Sequence, residues 1–177
     1  YGVPVLYSDI RSLDDVATEL RRYGQLTGHE PQANAEADRY LQQLQQLRQR
    51  YQQQTPVTVF YELWSRPLTT VAANAWPQQQ LDVCGARNPF ADSLDDYPQV
   101  SLEQVVATNP QIIIQPARHG QQGSDSIDWQ RWPQLQAVRQ QAILHPDSDK
   151  VHRMTPRTLP ELQRLCEQID QVRQEVR

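Results

Sequence analysis

The sequence has few of the features that mark membrane segments or nucleic-acid binding. No run of apolar residues approaches the roughly 20 that a helix needs to cross a bilayer. Lysine occurs once, at Lys150, and 17 basic residues face 21 acidic ones, for a net charge of −4. Because no basic stripe is present to neutralise phosphates, we do not expect nucleic acid to be a partner.

The chain also lacks common catalytic and metal-binding motifs. It contains no G-x-S-x-G elbow, no P-loop and no H-E-x-x-H pattern. Four histidines share no metal-ligand spacing: His29, His119, His145 and His152. The acid pairs at 14–15 and 95–96 fit helix-start and loop positions better than general acid/base catalysis. We therefore predict no catalytic residue, no metal ligand and no resident cofactor.

Only two cysteines occur, Cys84 and Cys166, and they lie too far apart for a CxxC metal or redox motif. Cys166 falls on the apolar stripe of a terminal helix, so its side chain should face the core. Two buried cysteines are free thiols in a cytosolic protein and a disulfide in an exported one. The spacing alone leaves both states open.

The most informative stretch is residues 97–114. Ser101 and Gln104 have the form of a capping box at a helix start. Glu103 then falls in the first turn, where a carboxylate meets the positive end of the helix dipole. An Asn-Pro pair stops the helix, and the Ile run 112–114 reads as a strand that is apolar on both faces. Such a strand is typical of a sheet covered by helices on both sides.

Strand and helix patterns alternate along the chain. Strands are predicted at 2–7, 57–61, 111–115 and 142–145. Helices are predicted from Ser12 onward and at 32–54, 73–84, 101–108, 129–139 and 159–176, with irregular structure at 24–31. This alternation predicts an α/β fold in which a mostly parallel sheet is sandwiched by helices.

The predicted helix at 32–54 has no internal breaker and would span roughly 35 Å. Glutamines alternate with leucines there at helical spacing, so we interpret them as a solvated face and not as a disordered tract. One alternative is a coiled-coil strand, although fewer than the three to four heptads expected are present. Another is an interaction module that self-associates through this helix.

Several ordered stretches resemble one known family. They are YPQVSLEQ at 97–104, VFYELWSRPL at 59–68, LDVCGARNPFAD at 81–92 and DKVHRMTPR at 149–157. The chain resembles the periplasmic cobalamin-binding proteins, which are class III periplasmic binding proteins. This wider group of helical-backbone metal-chelate receptors delivers cobalamin, haem or ferric siderophores to ABC importers.

The resemblance implies a domain organisation. Residues 1–30 would end an incomplete N-terminal lobe, residues 31–54 would form the backbone helix between the lobes, and residues 55–177 would form the C-terminal α/β lobe. Most of the family's N-terminal lobe precedes the equivalent of residues 3–7, so we expect a fragment or a piece supplied by another chain. An apolar face left uncovered would favour dimerisation or domain swapping.

The ligand is expected at the loops after the strands, because open α/β sheets bind ligands beyond the carboxyl ends of their strands. Trp64 and Arg66 offer an aromatic plane and a cation on a stiff turn, whereas Tyr97 and residues 149–153 match ligand-contacting positions of the family. The predicted ligand-binding residues are Trp64, Arg66, Tyr97, Asp149, Lys150, Val151, His152 and Arg153.

The resemblance implies three further properties. Glu103 matches a glutamate that docks onto arginines of the permease, and Cys84 and Cys166 match cysteines that form a disulfide. The implied function is a periplasmic receptor that captures cobalamin or a related metal chelate between two lobes and delivers it to an ABC importer. A ferric siderophore or haem is the alternative ligand, and a small doubly wound α/β enzyme is the alternative from another class.

Overall fold

The computed structural model describes residues 2, 5–118 and 126–175. A parallel sheet in the order β4, β1, β5, β6 forms the centre, and a separate antiparallel hairpin joins β2 to β3. The strands are β1 (Val57–Tyr61), β2 (Trp64–Ser65), β3 (Leu68–Thr69), β4 (Ala86–Arg87), β5 (Ile112–Ile114) and β6 (Ile143–Leu144). The predicted parallel sheet is confirmed.

Helices cover both faces of this sheet. They are α1 (Asp15–Thr27), α2 (Glu30–Tyr51), α3 (Trp76–Val83), α4 (Leu102–Thr108), α5 (Gln136–Arg139), α6 (Ser148–Val151) and α7 (Thr158–Glu175), with a 3-10 turn at Trp129–Arg131. Side chains from α1, α2, α3 and α7 share one core cluster, whereas α4, the 3-10 turn and α5 share a second. The α/β sandwich predicted from the sequence is therefore confirmed.

The central strands supply apolar side chains to both clusters. In β5, Ile112 and Ile114 join the first cluster and Ile113 joins the second, and all three are fully buried. In β1, Tyr61 joins the first cluster and Phe60 joins the second. Burial of each such side chain stabilises the fold by about 1.5–3 kcal/mol. These two strands are therefore held firmly in the core, and they fix the position of the loops at their ends.

The helix α2 packs its apolar stripe within the chain. Tyr40 donates a hydrogen bond of 2.9 Å from its hydroxyl to the backbone oxygen of Leu13, which ties α2 to the start of α1. Leu44 and Tyr51 are buried in the first core cluster. The stripe is thus used intramolecularly, which argues against the coiled-coil alternative.

The prediction of irregular structure at 24–31 is wrong for most of its length. Helix α1 continues through Gly24 to Thr27, and α2 begins at Glu30. Gly24 is accommodated because α2 passes so close that a Cβ there would lie 2.3 Å from the Cβ of Ala33. Gly28, with φ of 71°, makes the tight turn between the helices.

The predicted strand at 2–7 is also wrong where the structure describes it. Residue 2 and residues 5–7 are irregular, and Val5 and Tyr7 are exposed. Alternating apolar residues do not form a β-strand by themselves, because a strand also needs a neighbouring strand to pair with. The assignment of residues 1–30 to an N-terminal lobe stays a prediction, as do dimerisation and domain swapping.

Two predicted helices are shorter than expected. The helix at 73–84 begins only at Trp76, where Pro77 occupies its first turn. The helix at 129–139 is instead a 3-10 turn and a single helical turn, because Pro133 forces the residue before it, Trp132, out of the α region (φ −117°, ψ 68°).

Cys84 and Cys166 form a disulfide, as the resemblance implied. The bond joins the end of α3 to α7. Arg173, a buried residue of α7, supports the same junction by donating to the backbone oxygens of Cys84 at 2.7 Å and Thr55 at 2.8 Å. Across the described ranges, no helix has the length and apolar character of a membrane span.

Candidate functional site

An apolar hollow of about 430 Å³ opens where the chain leaves β1. Its walls are Leu63, Trp64, Thr69, Trp76, Pro77, Tyr97, His152 and Met154. Three of these, Trp64, Tyr97 and His152, are ligand-binding residues predicted from the sequence. The structure therefore brings together residues that lie up to 88 positions apart in the chain.

The hairpin β2–β3 positions Trp64. Trp64 pairs with Thr69 across the hairpin, and the turn between the two strands contains a cis Arg66–Pro67 bond. The indole remains 67% exposed. A large aromatic side chain held on a paired strand and still open to solvent is a suitable stacking surface for a ligand.

Tyr97 is positioned by the same hairpin. The segment that contains it runs antiparallel to β3, with the Thr70 N–H donating to Pro98 at 3.0 Å and the Val100 N–H donating to Leu68 at 3.0 Å. Tyr97 is 49% exposed. Trp64 and Tyr97 therefore lie on one hydrogen-bonded ribbon at the rim of the hollow.

Glu62 holds this ribbon to the rest of the lobe. It directly follows β1 and is buried, and its Oε1 accepts from the Ser65 hydroxyl at 2.6 Å and the Ile127 N–H at 3.3 Å. Its Oε2 accepts from Gln115 at 2.8 Å and from the indole N–H of Trp129 at 2.6 Å. Sequence reasoning missed this residue, although an acid immediately after a buried strand was a visible signal.

His152, which lines the hollow, is paired with the buried side chain of Tyr61. Nε2 of His152 lies 2.9 Å from the hydroxyl of Tyr61, and the two rings are tilted against each other with centroids 6.1 Å apart. Burial lowers the pKa of His152 below its ordinary value, and the negative charge of Asp149 opposes that shift. Burial also raises the pKa of Tyr61. Both side chains therefore favour their neutral forms.

Val151 lies under the hollow and does not line it. Its side chain is fully buried, and its carbonyl accepts from the indole N–H of Trp76 at 2.9 Å and from Gln80 at 2.7 Å. These bonds fix Trp76 as the back wall. Val151 is thus placed as a core residue, where its side chain cannot reach a ligand in the hollow.

The charged residues predicted around Val151 are engaged with each other and with their neighbours. Nζ of Lys150 lies 3.3 Å from Asp147 and 3.7 Å from Glu161. Asp149 pairs with Arg153 at 3.0 Å and with Arg118 at 3.5 Å. Asp149, Lys150 and Arg153 do not line the apolar hollow.

Arg66 lines a second, polar hollow of about 310 Å³ beside the first. The two share Leu63 and Trp64. The other walls of this polar hollow are Glu62, Ser65, Gln115, Pro116 and Ser126. Arg66 is therefore close to the predicted site, on the far side of Trp64.

A larger hollow of about 690 Å³ exists elsewhere, lined mostly by polar residues such as Gln130, Arg139 and Gln141. None of the eight predicted ligand-binding residues is among the described residues that line it. His119 belongs to the segment 119–125, which is outside the described residues. We therefore place the candidate site at the smaller, apolar hollow, because its walls are aromatic and come from several elements.

Glu103 lies on the exposed side of the first turn of α4. The predicted capping box is confirmed: Gln104 N–H donates to the Ser101 hydroxyl at 3.2 Å, and Ser101 N–H donates to the Gln104 side chain at 2.7 Å. Hydrogen bonding from the backbone of Glu103, and next from Ser101, lowers the pKa of the Glu103 carboxyl. Across the described residues, no cationic group lies within 4.0 Å of this carboxylate.

Groups of three or more His, Cys, Asp or Glu that could hold a metal ion are not found in the part of the chain that the structure describes.

The chain is similar to known proteins in sequence and in fold. Residues 2–149 match the family described as "Periplasmic binding protein". A vitamin B12-binding protein of Vibrio parahaemolyticus is 33% identical over 174 residues, which cover 98% of this chain and 62% of that protein. The chain thus spans about three-fifths of the length of such curated relatives.

Two solved structures have the same fold. The periplasmic vitamin B12 binding protein of Vibrio cholerae is 31% identical with a TM-score of 0.81, covering 97% of this chain and 67% of that one. A possible iron-binding (periplasmic solute-binding) protein of Staphylococcus epidermidis is 28% identical with a TM-score of 0.78, covering 95% and 67%. On the family match and these relatives, the chain belongs to the periplasmic binding protein family.

Proposed function

We propose that this chain is part of a periplasmic receptor that captures cobalamin, or a related metal chelate, and delivers it to an ABC importer. The observation that carries the proposal is the hollow in which Trp64, Tyr97 and His152 meet. Support comes from the relatives of similar sequence, which are vitamin B12-binding proteins.

The chemistry of the hollow fits one face of a flat, largely apolar chelate. Trp64 and Tyr97 present ring surface at the rim, and Trp76 and Pro77 close the back wall. Aromatic rings stack well on extended π-systems and on apolar edges, at little cost in side-chain entropy. An open hollow of about 430 Å³ covers only part of such a ligand, so a second surface, from the other lobe of the receptor, would cover the rest.

A ferric chelate is the second candidate ligand. The solved chain from Staphylococcus epidermidis that shares this fold at 28% identity is described as a possible iron-binding protein. Ferric siderophores and haem are chelates of similar bulk, so the shape of the hollow alone does not choose between them and cobalamin.

We propose no catalytic role. A base with a perturbed pKa in a cleft is a feature of enzymes, and His152 has both properties. However, the partner of its Nε2 is the buried hydroxyl of Tyr61, whose pKa is raised, so Tyr61 is a poor nucleophile. The pair is better suited to shaping the wall of a binding site.

Delivery would use Glu103 as a docking contact for a cationic surface of the permease. Its carboxylate is ionised, exposed and fixed on a capped helix start, which are favourable properties for a charge-assisted contact. A periplasmic location agrees with the Cys84–Cys166 bond, because disulfides persist in that compartment.

Calorimetric titration of the complete receptor, with both lobes present, tests the proposal with cyanocobalamin, haem and a ferric hydroxamate siderophore as ligands. We expect one of them to bind with micromolar or tighter affinity, and Trp64→Ala and Tyr97→Ala each to weaken it by about tenfold or more. Tyr23→Ala is a matched control, since Tyr23 is 44% exposed but does not line this hollow. Absence of binding by all three chelates would refute the proposed function.

A further inference from the structure

We infer that the ligand carries an anionic arm, and that the polar hollow beside Trp64 receives this arm with Arg66 as its partner. The inference rests on the proposed function, because it specifies the class of chelate that the same site selects. It distinguishes a chelate with carboxylate or phosphate oxygens at its periphery from one that is neutral there.

The two hollows form a divided site. They share Leu63 and Trp64, so a ligand that stacks on the exposed indole of Trp64 reaches both. On one side the walls are mostly apolar, as Trp76, Pro77 and Met154 show. On the other side the walls are mostly polar and come from Glu62, Ser65, Arg66, Gln115 and Ser126. A ligand that fits both sides has an apolar body and a polar arm.

The charged group that this polar hollow presents to a ligand is Arg66. Both carboxylate oxygens of Glu62 already accept two hydrogen bonds each from protein donors, which satisfies much of their bonding capacity. Arg66 is exposed and, within the described residues, no carboxylate lies within 4.0 Å of its guanidinium. Its fork of N–H donors matches carboxylate or phosphate oxygens.

Three other cations of the loops after β5 and β6 already have partners. Lys150 pairs with acids of its own loop and of α7, and both Arg118 and Arg153 pair with Asp149. Recruiting one of them to a ligand would require breaking an existing ion pair. Arg66 has no such ion pair to break within the described residues, so we assign it to the arm.

Two pairs of probes test the inference and identify the arm. Haem carries two carboxylates that its dimethyl ester lacks, and cyanocobalamin carries a phosphate that dicyanocobinamide lacks. Affinities of wild-type protein and Arg66→Gln are measured for all four. We expect Arg66→Gln to weaken one acidic probe by about tenfold and to leave its neutral counterpart within about twofold. A loss confined to haem identifies a carboxylate, and a loss confined to cyanocobalamin identifies a phosphate.

Arg39→Gln is the matched control, because it removes an exposed guanidinium of α2 that is paired with Glu36 and lines neither hollow. Its affinities should equal those of the wild type. If the probes bind and Arg66→Gln behaves like Arg39→Gln toward all four, the inference is wrong although the proposed function stands. If no probe binds the wild-type protein, the proposed function fails first and the inference fails with it. Both arginines are exposed, so neither variant is expected to lose its fold.

Discussion

The hydroxyl of Tyr61 lies 2.9 Å from Nε2 of His152, which joins the last residue of β1 to the residue that follows α6. These two side chains are 91 positions apart in sequence. Because His152 lines the apolar hollow, the contact holds a titratable group where a ligand would bind. Protonation of His152 should therefore affect both the stability of the lobe and its binding surface.

The first prediction concerns pH. Burial lowers the pKa of His152 in the folded state, whereas in the unfolded chain it returns to about 6.5. Between these two pKa values the unfolded state binds more protons than the folded state does. The stability that neutral, buried His152 contributes is therefore fully present above about pH 6.5 and is lost as the pH falls through the folded-state pKa. Urea titrations from about pH 7.5 to about pH 5 should show a declining free energy of unfolding, and His152→Gln should flatten part of that decline.

His29→Gln is the control for this measurement, since His29 is exposed at the start of α2. It should leave the pH profile unchanged. If His152→Gln and His29→Gln have the same profile as the wild type, burial of His152 does not contribute to acid sensitivity.

The second prediction compares two glycines. Gly85 has φ of 64° and a Cβ there would lie 2.3 Å from the backbone oxygen of Tyr51. Gly28 has φ of 71°, but a Cβ there meets nothing within 4 Å. Gly28→Ala should cost about 1–2 kcal/mol of unfolding free energy for the left-handed backbone alone. Gly85→Ala should cost that amount plus about 1–3 kcal/mol for the clash.

Chemical denaturation of both variants measures the difference. Because the backbone penalty is common to both, the excess in Gly85→Ala reports the close approach of the two chain segments. Equal losses of stability would show that the loop at Gly85 moves away from Tyr51 at no cost.

Local sequence signals predicted much of the fold. The capping residues Ser101 and Gln104 and the Ile run of β5 each determine structure through contacts a few residues apart, and both features were predicted correctly. The errors lie where a distant contact or a single proline overrides the pattern. Pro133 broke an expected helix, and residues 5–7 have no strand beside them in the described structure.

The site was predicted less completely for the same reason. Trp64 was predicted as an aromatic plane on a stiff strand-end turn and Tyr97 from its match to a family position, and both line the apolar hollow. Whether a loop residue faces a ligand or the core depends on what it meets across the fold. Val151 is buried because Trp76 and Gln80, more than seventy positions earlier in the chain, bond to its carbonyl. No spacing rule contains that information.

The third prediction concerns Glu62. Glu62→Gln removes the charge and replaces one acceptor oxygen by an NH₂ group, which then faces donors in a buried site. We expect a loss of about 2–3 kcal/mol in the free energy of unfolding and weaker chelate binding, since Ser65 next to Trp64 loses its anchor. Denaturation and ligand titration of the same preparation measure both effects.

Glu103→Gln is the matched control for Glu62→Gln. Glu103 is exposed and lies outside both hollows, so the same substitution should leave ligand affinity unchanged and should lower stability far less than Glu62→Gln does. If Glu103 is the docking contact, Glu103→Gln should instead weaken binding to the detergent-solubilised permease in a pull-down assay. Equal effects of the two substitutions on ligand affinity would contradict the anchoring role of Glu62.

The last prediction concerns the disulfide. Cys84 and Cys166 are separated by 82 positions, so the bond restricts a long loop of the unfolded chain and should contribute about 4 kcal/mol in the chain-entropy model. The buried guanidinium of Arg173, which bonds to the carbonyls of Cys84 and Thr55, holds the same junction without the sulfur atoms. We therefore expect the reduced protein to keep a cooperative unfolding transition at lower urea concentration. The double variant Cys84→Ala/Cys166→Ala should show that lower stability with and without reductant. A wild-type protein whose thiols alkylate fully after reduction, yet whose urea midpoint stays unchanged, would disprove the stabilising role.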